Sequence, residues 1–278
     1  MTRSHVTLPL DHVGLVGPDI EAMIAAYAAL GFTVTPRQEL MGRDSSGQLL
    51  PLGQQSAHVM FRETYIELTA FAPRPDHHLM PYAQRYDGIH ILALASDDAQ
   101  ASHRQLAETG IAPQPVAEAA RDVVYGKTGQ AQFRWFAVAP DDFPEGLVCV
   151  GDQAPPDLVF PASAMAPTNK ARAIPSLYVS AEDKADTATR YGKLAAALET
   201  AGAPCALQSG DAAWRRRFAL PEAIAPAPGL LGIGIRVSDL AALRAALAAS
   251  DATLLTDSAD EIVIAPHHAC GALLRFHE

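Results

Sequence analysis

Two histidines occupy corresponding places in two similar apolar segments of the chain. His12 lies in the segment LDHVGLV and His90 lies in GIHILALA, and aliphatic residues flank each imidazole. A single histidine in such a strand is usually a hydrogen-bonded core residue. Because histidine is the commonest metal ligand in proteins, two of them at equivalent positions of a repeat favour a shared site.

A carboxylate interrupts a third apolar segment. Glu67 lies in the middle of TYIELTAF, where burial of an unpaired charge is costly, so a bound cation or an arginine is needed to hold it. Two imidazoles and one carboxylate from three strands make the facial arrangement that suits Fe(II), and Mn(II), Zn(II) and Ni(II) are also chemically suited. We therefore predict a divalent-metal site at His12, Glu67 and His90, with Fe(II) favoured.

Other polar residues are predicted to line the same concave surface. Arg134 is a candidate for pairing with a substrate carboxylate or enolate, since a guanidinium contacts two oxygens at once, although a surface strand arginine is the plain alternative. Tyr125 and His58 are the other candidate catalytic residues. The adjacent His77 and His78 are interpreted as part of a solvated loop.

Four similar openings predict an internally repeated fold. Each is a short apolar segment followed by an acidic cap and an alanine-rich helix; they begin with residues 10–16, 88–95, 174–180 and 231–237. After the first helix the hydrophobic period changes from 3.6 to 2. The strands then predicted are 32–40, 56–62 and 64–71, then 114–119, 131–139 and 146–151, then short ones around 205–209 and 215–220, and finally 252–256, 261–265 and 271–277.

This order predicts an α+β fold of paired βαβββ modules, arranged as two lobes of two modules each, with the third module reduced. The predicted domains are 1–152, which carries the metal site, and 174–278, a degenerate module pair. A proline- and alanine-rich stretch without periodicity, residues 153–173, is predicted to link them.

The first opening, the TYIELTAF strand and the second opening resemble the vicinal oxygen chelate superfamily, in its glyoxalase-like and bleomycin-resistance-like branch. The resemblance implies a half-open barrel around a divalent metal, with ligands from the first and last strand of each module. Three of those positions fall on His12, Glu67 and His90. The fourth falls near Val150 or Gly151, where this sequence has no histidine or glutamate. Either Asp152 reaches the metal from a shifted register or the site has three ligands, and we favour three.

Composition excludes several classes of function. The formal net charge of −10 disfavours nucleic-acid binding, and the basic run 215–217 is interpreted as a solvated strand or turn. No apolar run is long enough to cross a bilayer, and three scattered cysteines indicate a reducing compartment, so a cytoplasmic protein that does not bind membranes is expected. Nucleotide-binding and serine-hydrolase motifs are absent from the sequence.

These observations favour a metal-dependent enzyme whose small-molecule substrate has two adjacent oxygens. An Fe(II) dioxygenase-like reaction is the first expectation, and a glyoxalase-type lyase or isomerase is the alternative. A non-catalytic binder is the rival from another class. It predicts that His12 and Glu67 hydrogen-bond each other and that Trp135, Tyr125 and Phe133 stack on a flat ligand. A degenerate scaffold is a third candidate. The resemblance is also compatible with a homodimer, which no residue pattern establishes.

Overall fold

The computed structural model describes residues 6–75, 77–165, 167–198, 202–210 and 212–278. The strands are β1 Val6–Val16, β2 Gln38–Arg43, β3 Leu49–Met60, β4 Tyr65–Phe71, β5 Gly88–Ala95, β6 Ala117–Val123, β7 Gly129–Ala137, β8 Leu147–Ala154, β9 Ala171–Ser180, β10 Ala203–Gly210, β11 Gly229–Val237, β12 Leu254–Asp257, β13 Glu261–Ile264 and β14 Leu273–His277. The helices are α1 Ile20–Ala29, α2 Met80–Ala83, α3 Ala99–Glu108, α4 Pro156–Val159, α5 Lys184–Ala197, α6 Ala212–Arg217 and α7 Leu240–Leu247.

The predicted module order is confirmed by these elements. β1–α1–β2–β3–β4 and β5–α3–β6–β7–β8 are complete βαβββ units, and β11–α7–β12–β13–β14 is a further one. Between them the third module is reduced to β9, α5 and β10. In each of the four openings an aspartate caps the following long helix by accepting backbone N–H groups, as the acidic caps in the sequence predicted.

The strands join into two circuits that share a wall. In the first, β5, β8, β7, β6, β2, β3, β4 and β1 follow one another, and the pairing of β1 with β5 closes the ring. In the second, β10, β9 and β11 connect β1 back to β5. The β1–β5 wall is therefore covered on both sides, which explains why both strands are apolar almost throughout.

The basic run 215–217 belongs to a helix instead of the predicted strand or turn. Arg215 Nη2 donates to Ser180 Oγ at 2.9 Å and to the Ile224 carbonyl at 2.8 Å, and Arg217 pairs with the carboxylate of Glu261. These contacts fasten α6 to the second circuit.

The segment predicted as a linker carries defined structure. β8 continues to Ala154, and α4 and a 3-10 turn at Ala162–Ala164 follow it. Leu158 and Val159 pack with Met60, Tyr65 and Val123 over one end of the first circuit. No helix within the described ranges has the length and apolarity needed to span a membrane.

Candidate active site

The first circuit encloses a cavity of about 730 Å³, a volume that includes its open mouth. Its walls are mostly apolar and include Leu40, Ile91, Phe133, Trp135 and Leu147. Its polar groups come mainly from β1, β4, β6 and β8.

A β-bulge turns two consecutive residues of β1 into this cavity. Leu10 pairs with Leu94 and His12 pairs with Ala93, so Asp11 is an extra residue on β1 that has no partner of its own on β5. A bulge re-aims side chains locally, and here both Asp11 and His12 line the cavity. With regular alternation of side chains along β1, Asp11 would point away from this cavity, to the opposite face of the β1–β5 wall.

Asp11 orients the imidazole of His12. The distance from His12 Nδ1 to Asp11 Oδ1 is 2.5 Å, and the other oxygen of Asp11 accepts a hydrogen bond from the amide of Gln153. With Nδ1 engaged by Asp11, the second ring nitrogen, Nε2, is the one left to contact a ligand. The ring is held from one side by stacking on Tyr65, with centroids 4.3 Å apart.

Glu67 lies next to His12 across the β1–β4 pairing. Parallel pairing aligns His12 with Tyr65 and Gly14 with Glu67, and the distance from His12 Nε2 to Glu67 Oε2 is 3.6 Å. This is too long for a hydrogen bond. The two side chains keep 16% and 10% of their surface accessible, so the closed pair that a non-catalytic binder predicts is not formed. Both groups remain available to a ligand.

His90 does not join them, which corrects the expectation that all three share one surface. Its Nε2 donates to the backbone carbonyl of Tyr86 at 2.6 Å, its ring lies 4.1 Å from the Tyr86 ring, and its side chain is fully buried. Tyr86 packs in the core of the second circuit. The neighbours Ile91 and Ala93 of His90 line the cavity instead.

The strand register identifies the residues that are equivalent to His12 and Glu67. In the first module His12 is opposite Tyr65, two residues before Glu67; in the second, Ile91 is opposite Leu147, two residues before Cys149. The equivalent positions are therefore Ile91 and Cys149. A slip of one residue along a strand reverses the face on which a side chain lies, and the sequence alignment of His12 with His90 contains such a slip.

The residues present do not fit the predicted three-ligand metal centre. The position that would supply a second imidazole is the hydrocarbon side chain of Ile91. At the other, the side chain is the buried thiol of Cys149, whose pKa is raised by burial and further by Asp11 and Glu67. Among the residues that the structure describes, no three histidine, cysteine, aspartate or glutamate side chains are grouped to hold an ion.

A structural role for His90 predicts acid sensitivity. Burial lowers the pKa of His90 from 6.5 to about 4, while its bond to the Tyr86 carbonyl opposes this. Between these pH values the unfolded chain binds a proton at His90 that the folded chain does not, so stability falls as the pH falls through this window.

The variant His90→Gln tests this role, because glutamine keeps a hydrogen-bond donor for the Tyr86 carbonyl but does not titrate. Urea unfolding of this variant at about pH 7 and about pH 5 is expected to show about 2 kcal/mol less acid destabilisation than the wild type. Identical pH profiles would contradict this role.

Arg134 and Asp152 bind each other at the rim of the cavity. Arg134 Nε and Nη2 donate to the two oxygens of Asp152 at 3.1 and 2.9 Å. Asp152 also accepts the Ala99 N–H at the start of α3 at 2.8 Å. Asp152 is therefore occupied by structural contacts, and the Arg134 guanidinium is already paired.

Tyr125 and His58 lie behind the cavity wall. Tyr125 packs beside the cluster that α4 covers. His58 is fully buried, with Thr35 Oγ1 3.4 Å from its Nδ1. Burial lowers the pKa of His58 well below its ordinary value, and Arg121 and His12 lower it further, so this imidazole is neutral.

Asp11 was not predicted from the sequence, and neither was Arg121 of β6. Arg121 lines the cavity with 2% of its surface exposed, and its Nη1 donates to the imidazole of His58. Its sequence signal was weak but present: Arg121 alternates with Ala119 and Val123, which are also buried, so it falls on the inward face of an otherwise polar segment.

In the predicted solvated loop at His77 and His78, His78 is exposed, whereas His77 is buried. His77 retains 4% exposure, and its ring stacks on Phe71 and on His78. His78 lines the cavity. This segment therefore forms part of the cavity wall.

The paired βαβββ modules around this cavity define a vicinal oxygen chelate fold. The model of the family described as Glyoxalase-like domain matches residues 10–198. The chain therefore belongs to that family. The comparison with curated proteins finds no match.

Solved structures with the same fold cover nearly the whole chain. A hypothetical protein from Staphylococcus aureus is 10% identical with a TM-score of 0.63, covering 96% of this chain and 98% of its own. A mutant of 4-hydroxymandelate synthase from Streptomyces coelicolor is 13% identical with a TM-score of 0.60, covering 97% and 92%. A methylmalonyl-CoA epimerase from Streptomyces coelicolor matches 53% of this chain and 99% of its own, with 19% identity and a TM-score of 0.39.

Proposed function

We propose that the protein is an isomerase that moves a proton within a small hydroxycarbonyl compound, using Glu67 and the His12–Asp11 pair. The single observation that carries this proposal is the presence of two proton-transfer groups 3.6 Å apart at the surface of one cavity. Their accessibility is what a reaction requires and what a structural pair would lack.

The proposed reaction divides the work between the two groups. Glu67 removes a proton from the carbon that carries the hydroxyl, and the electron pair of the C–H bond forms the double bond of an enediolate. His12 Nε2 accepts the hydroxyl proton and delivers it to the former carbonyl oxygen, and Asp11 stabilises the imidazolium in between. Glu67 then returns its proton to the neighbouring carbon. Atoms and electrons balance without a co-reactant.

Because both groups lie on one side of the cavity, they suit proton transfer between adjacent carbons better than inversion of a single carbon. Glu67 and His12 approach a ligand from the same direction, since they lie on the neighbouring strands β4 and β1. Transfer between adjacent atoms on one face suits that placement. Inversion at a single carbon needs an acid and a base on opposite faces and is less well served.

The Fe(II) dioxygenase predicted from the sequence is the weaker candidate. It requires a metal centre, and His90, the ligand predicted from β5, contacts Tyr86 on the opposite side of the wall. The non-catalytic binder remains the rival from another class, and it predicts no proton exchange in any bound ligand.

Proton exchange in D₂O tests the proposal before the natural substrate is identified. Hydroxyacetone, dihydroxyacetone and hydroxypyruvate are incubated with the protein, and the loss of carbon-bound protons is followed by ¹H NMR. We expect exchange above the background rate for at least one compound, and loss of that exchange in His12→Ala. Background exchange with all three compounds would count against the isomerase and favour the binder.

A further inference from the structure

Arg121 lines the cavity, and none of the described carboxylates forms an ion pair with its guanidinium. Its side chain contacts the imidazole of His58 through Nη1, and its guanidinium carbon lies 5.3 Å from the centre of the Phe133 ring. Neither neighbour carries a negative charge. A buried cation that lacks an anionic partner is costly, and an anionic ligand would offset that cost.

One edge of this guanidinium has no hydrogen-bond partner in the described part of the chain. Nε and Nη2 of Arg121 are buried, and neither has a hydrogen-bond partner among the described residues. These two nitrogens form the edge that binds both oxygens of a carboxylate. Arg134 shows the occupied form of the same edge, since its Nε and Nη2 bind the two oxygens of Asp152.

The same cavity holds acceptors that lack donors. The side-chain oxygens of Gln54 and Gln153 are buried without a hydrogen-bond partner in the described chain, and both residues line the cavity. The amide nitrogen of Gln153 is already used by Asp11. A hydroxyl group on the ligand would satisfy such an oxygen.

One side chain lies between Arg121 and the proton-transfer pair. The ring of Tyr65 lies 4.3 Å from the ring of His12 and 5.3 Å from the ring of His58, which Arg121 contacts. Arg121, Tyr65, His12 and Glu67 all line the same cavity.

We propose that the substrate is a hydroxycarbonyl compound that also carries a carboxylate, which binds Nε and Nη2 of Arg121, and that a further hydroxyl, distinct from the one that His12 deprotonates, donates to a glutamine oxygen of the cavity. This inference rests on the proposed function, because it assigns the substrate class of the same cavity. It gives the carboxylate to Arg121 in place of Arg134, whose guanidinium is occupied.

Binding of a matched acid and amide tests this assignment independently of turnover. The probes are 3-phenyllactate and 3-phenyllactamide, which differ in the carboxylate, and affinity is measured by calorimetry at neutral pH. We expect the acid to bind about 10–100-fold more tightly than the amide. Arg121→Met is expected to abolish that difference, and the exposed Arg104→Met on α3 is expected to leave it unchanged.

A second measurement shows whether the Arg121→Met variant is folded. Removing a buried cation that lacks an anionic partner relieves a cost, so the melting temperature of the unliganded variant is expected to rise, whereas the acid is expected to raise only that of the wild type. Equal affinity for acid and amide, or binding of neither, would overturn the carboxylate assignment, as would an unchanged preference in Arg121→Met. Arg121-dependent binding without proton exchange in the hydroxycarbonyl compounds would instead reject the isomerase alone.

Discussion

Replacing Glu67 with glutamine is expected to lower the rate of carbon-bound proton exchange by about 10²–10⁴-fold, the usual contribution of a positioned general base. The amide has the shape of the carboxyl group but cannot accept the proton. Since Glu67 is 3.6 Å from His12 Nε2 and not hydrogen-bonded to it, the imidazole keeps its bond to Asp11 in the variant. Exchange rates from ¹H NMR and substrate affinity from calorimetry are measured together, and affinity is expected to change little.

The matched control for this prediction is Glu108→Gln. Glu108 is an exposed residue at the end of α3, and the same chemical change there is expected to leave the exchange rate unaltered. A Glu67→Gln protein that retains the wild-type rate would remove Glu67 from the reaction.

Replacing Ile91 with histidine is expected to complete a three-ligand metal site that the described residues do not form. Ile91 is the positional equivalent of His12 and faces the same cavity, so the new imidazole would complete a set of two nitrogens and one carboxylate with His12 and Glu67. Affinity for Zn(II) is expected to rise at least about tenfold, which corresponds to roughly 1.4 kcal/mol of binding free energy. Calorimetric titration with Zn(II) measures it.

His90 provides the comparison for the engineered site. His90→Gln is expected to leave Zn(II) affinity at the wild-type value, because His90 faces the second circuit. If instead the wild type binds a stoichiometric metal that His90→Gln loses, the register assigned to β5 is incorrect.

The architecture could be predicted from the sequence because each opening carries several agreeing signals. An apolar strand, an aspartate cap and an amphipathic helix recur four times, and the strands that follow in the complete modules alternate with period 2. The reduced third module was also visible. The sequence could not show that residues 215–217 are helical, since their contacts with Ser180 and Glu261 are made only in the folded chain.

Part of the site was predictable, because Glu67 and His12 are polar residues in otherwise largely apolar strands and burial of such groups is costly unless they are paired. The segment GIHILALA does not show on which face of β5 the His90 side chain lies. Both faces of β5 are covered, so its residues are apolar on both sides and no alternation distinguishes one face from the other. Asp11 faces the site because of a β-bulge. The bulge shifts the inward–outward alternation of the β1 side chains by one residue, and the sequence of β1 gives no sign of it.

Proton exchange by chelator-treated protein shows whether the side chains of Glu67, His12 and Asp11 catalyse the reaction without a bound metal ion. The protein is treated with a strong chelator, its metal content is measured, and exchange of hydroxypyruvate protons in D₂O is followed for the wild type and for Glu67→Gln. Catalysis by Glu67, His12 and Asp11 predicts that the metal-free wild type keeps its full exchange rate and that Glu67→Gln does not. Exchange that disappears with the metal and returns only when a divalent ion is added would contradict the account.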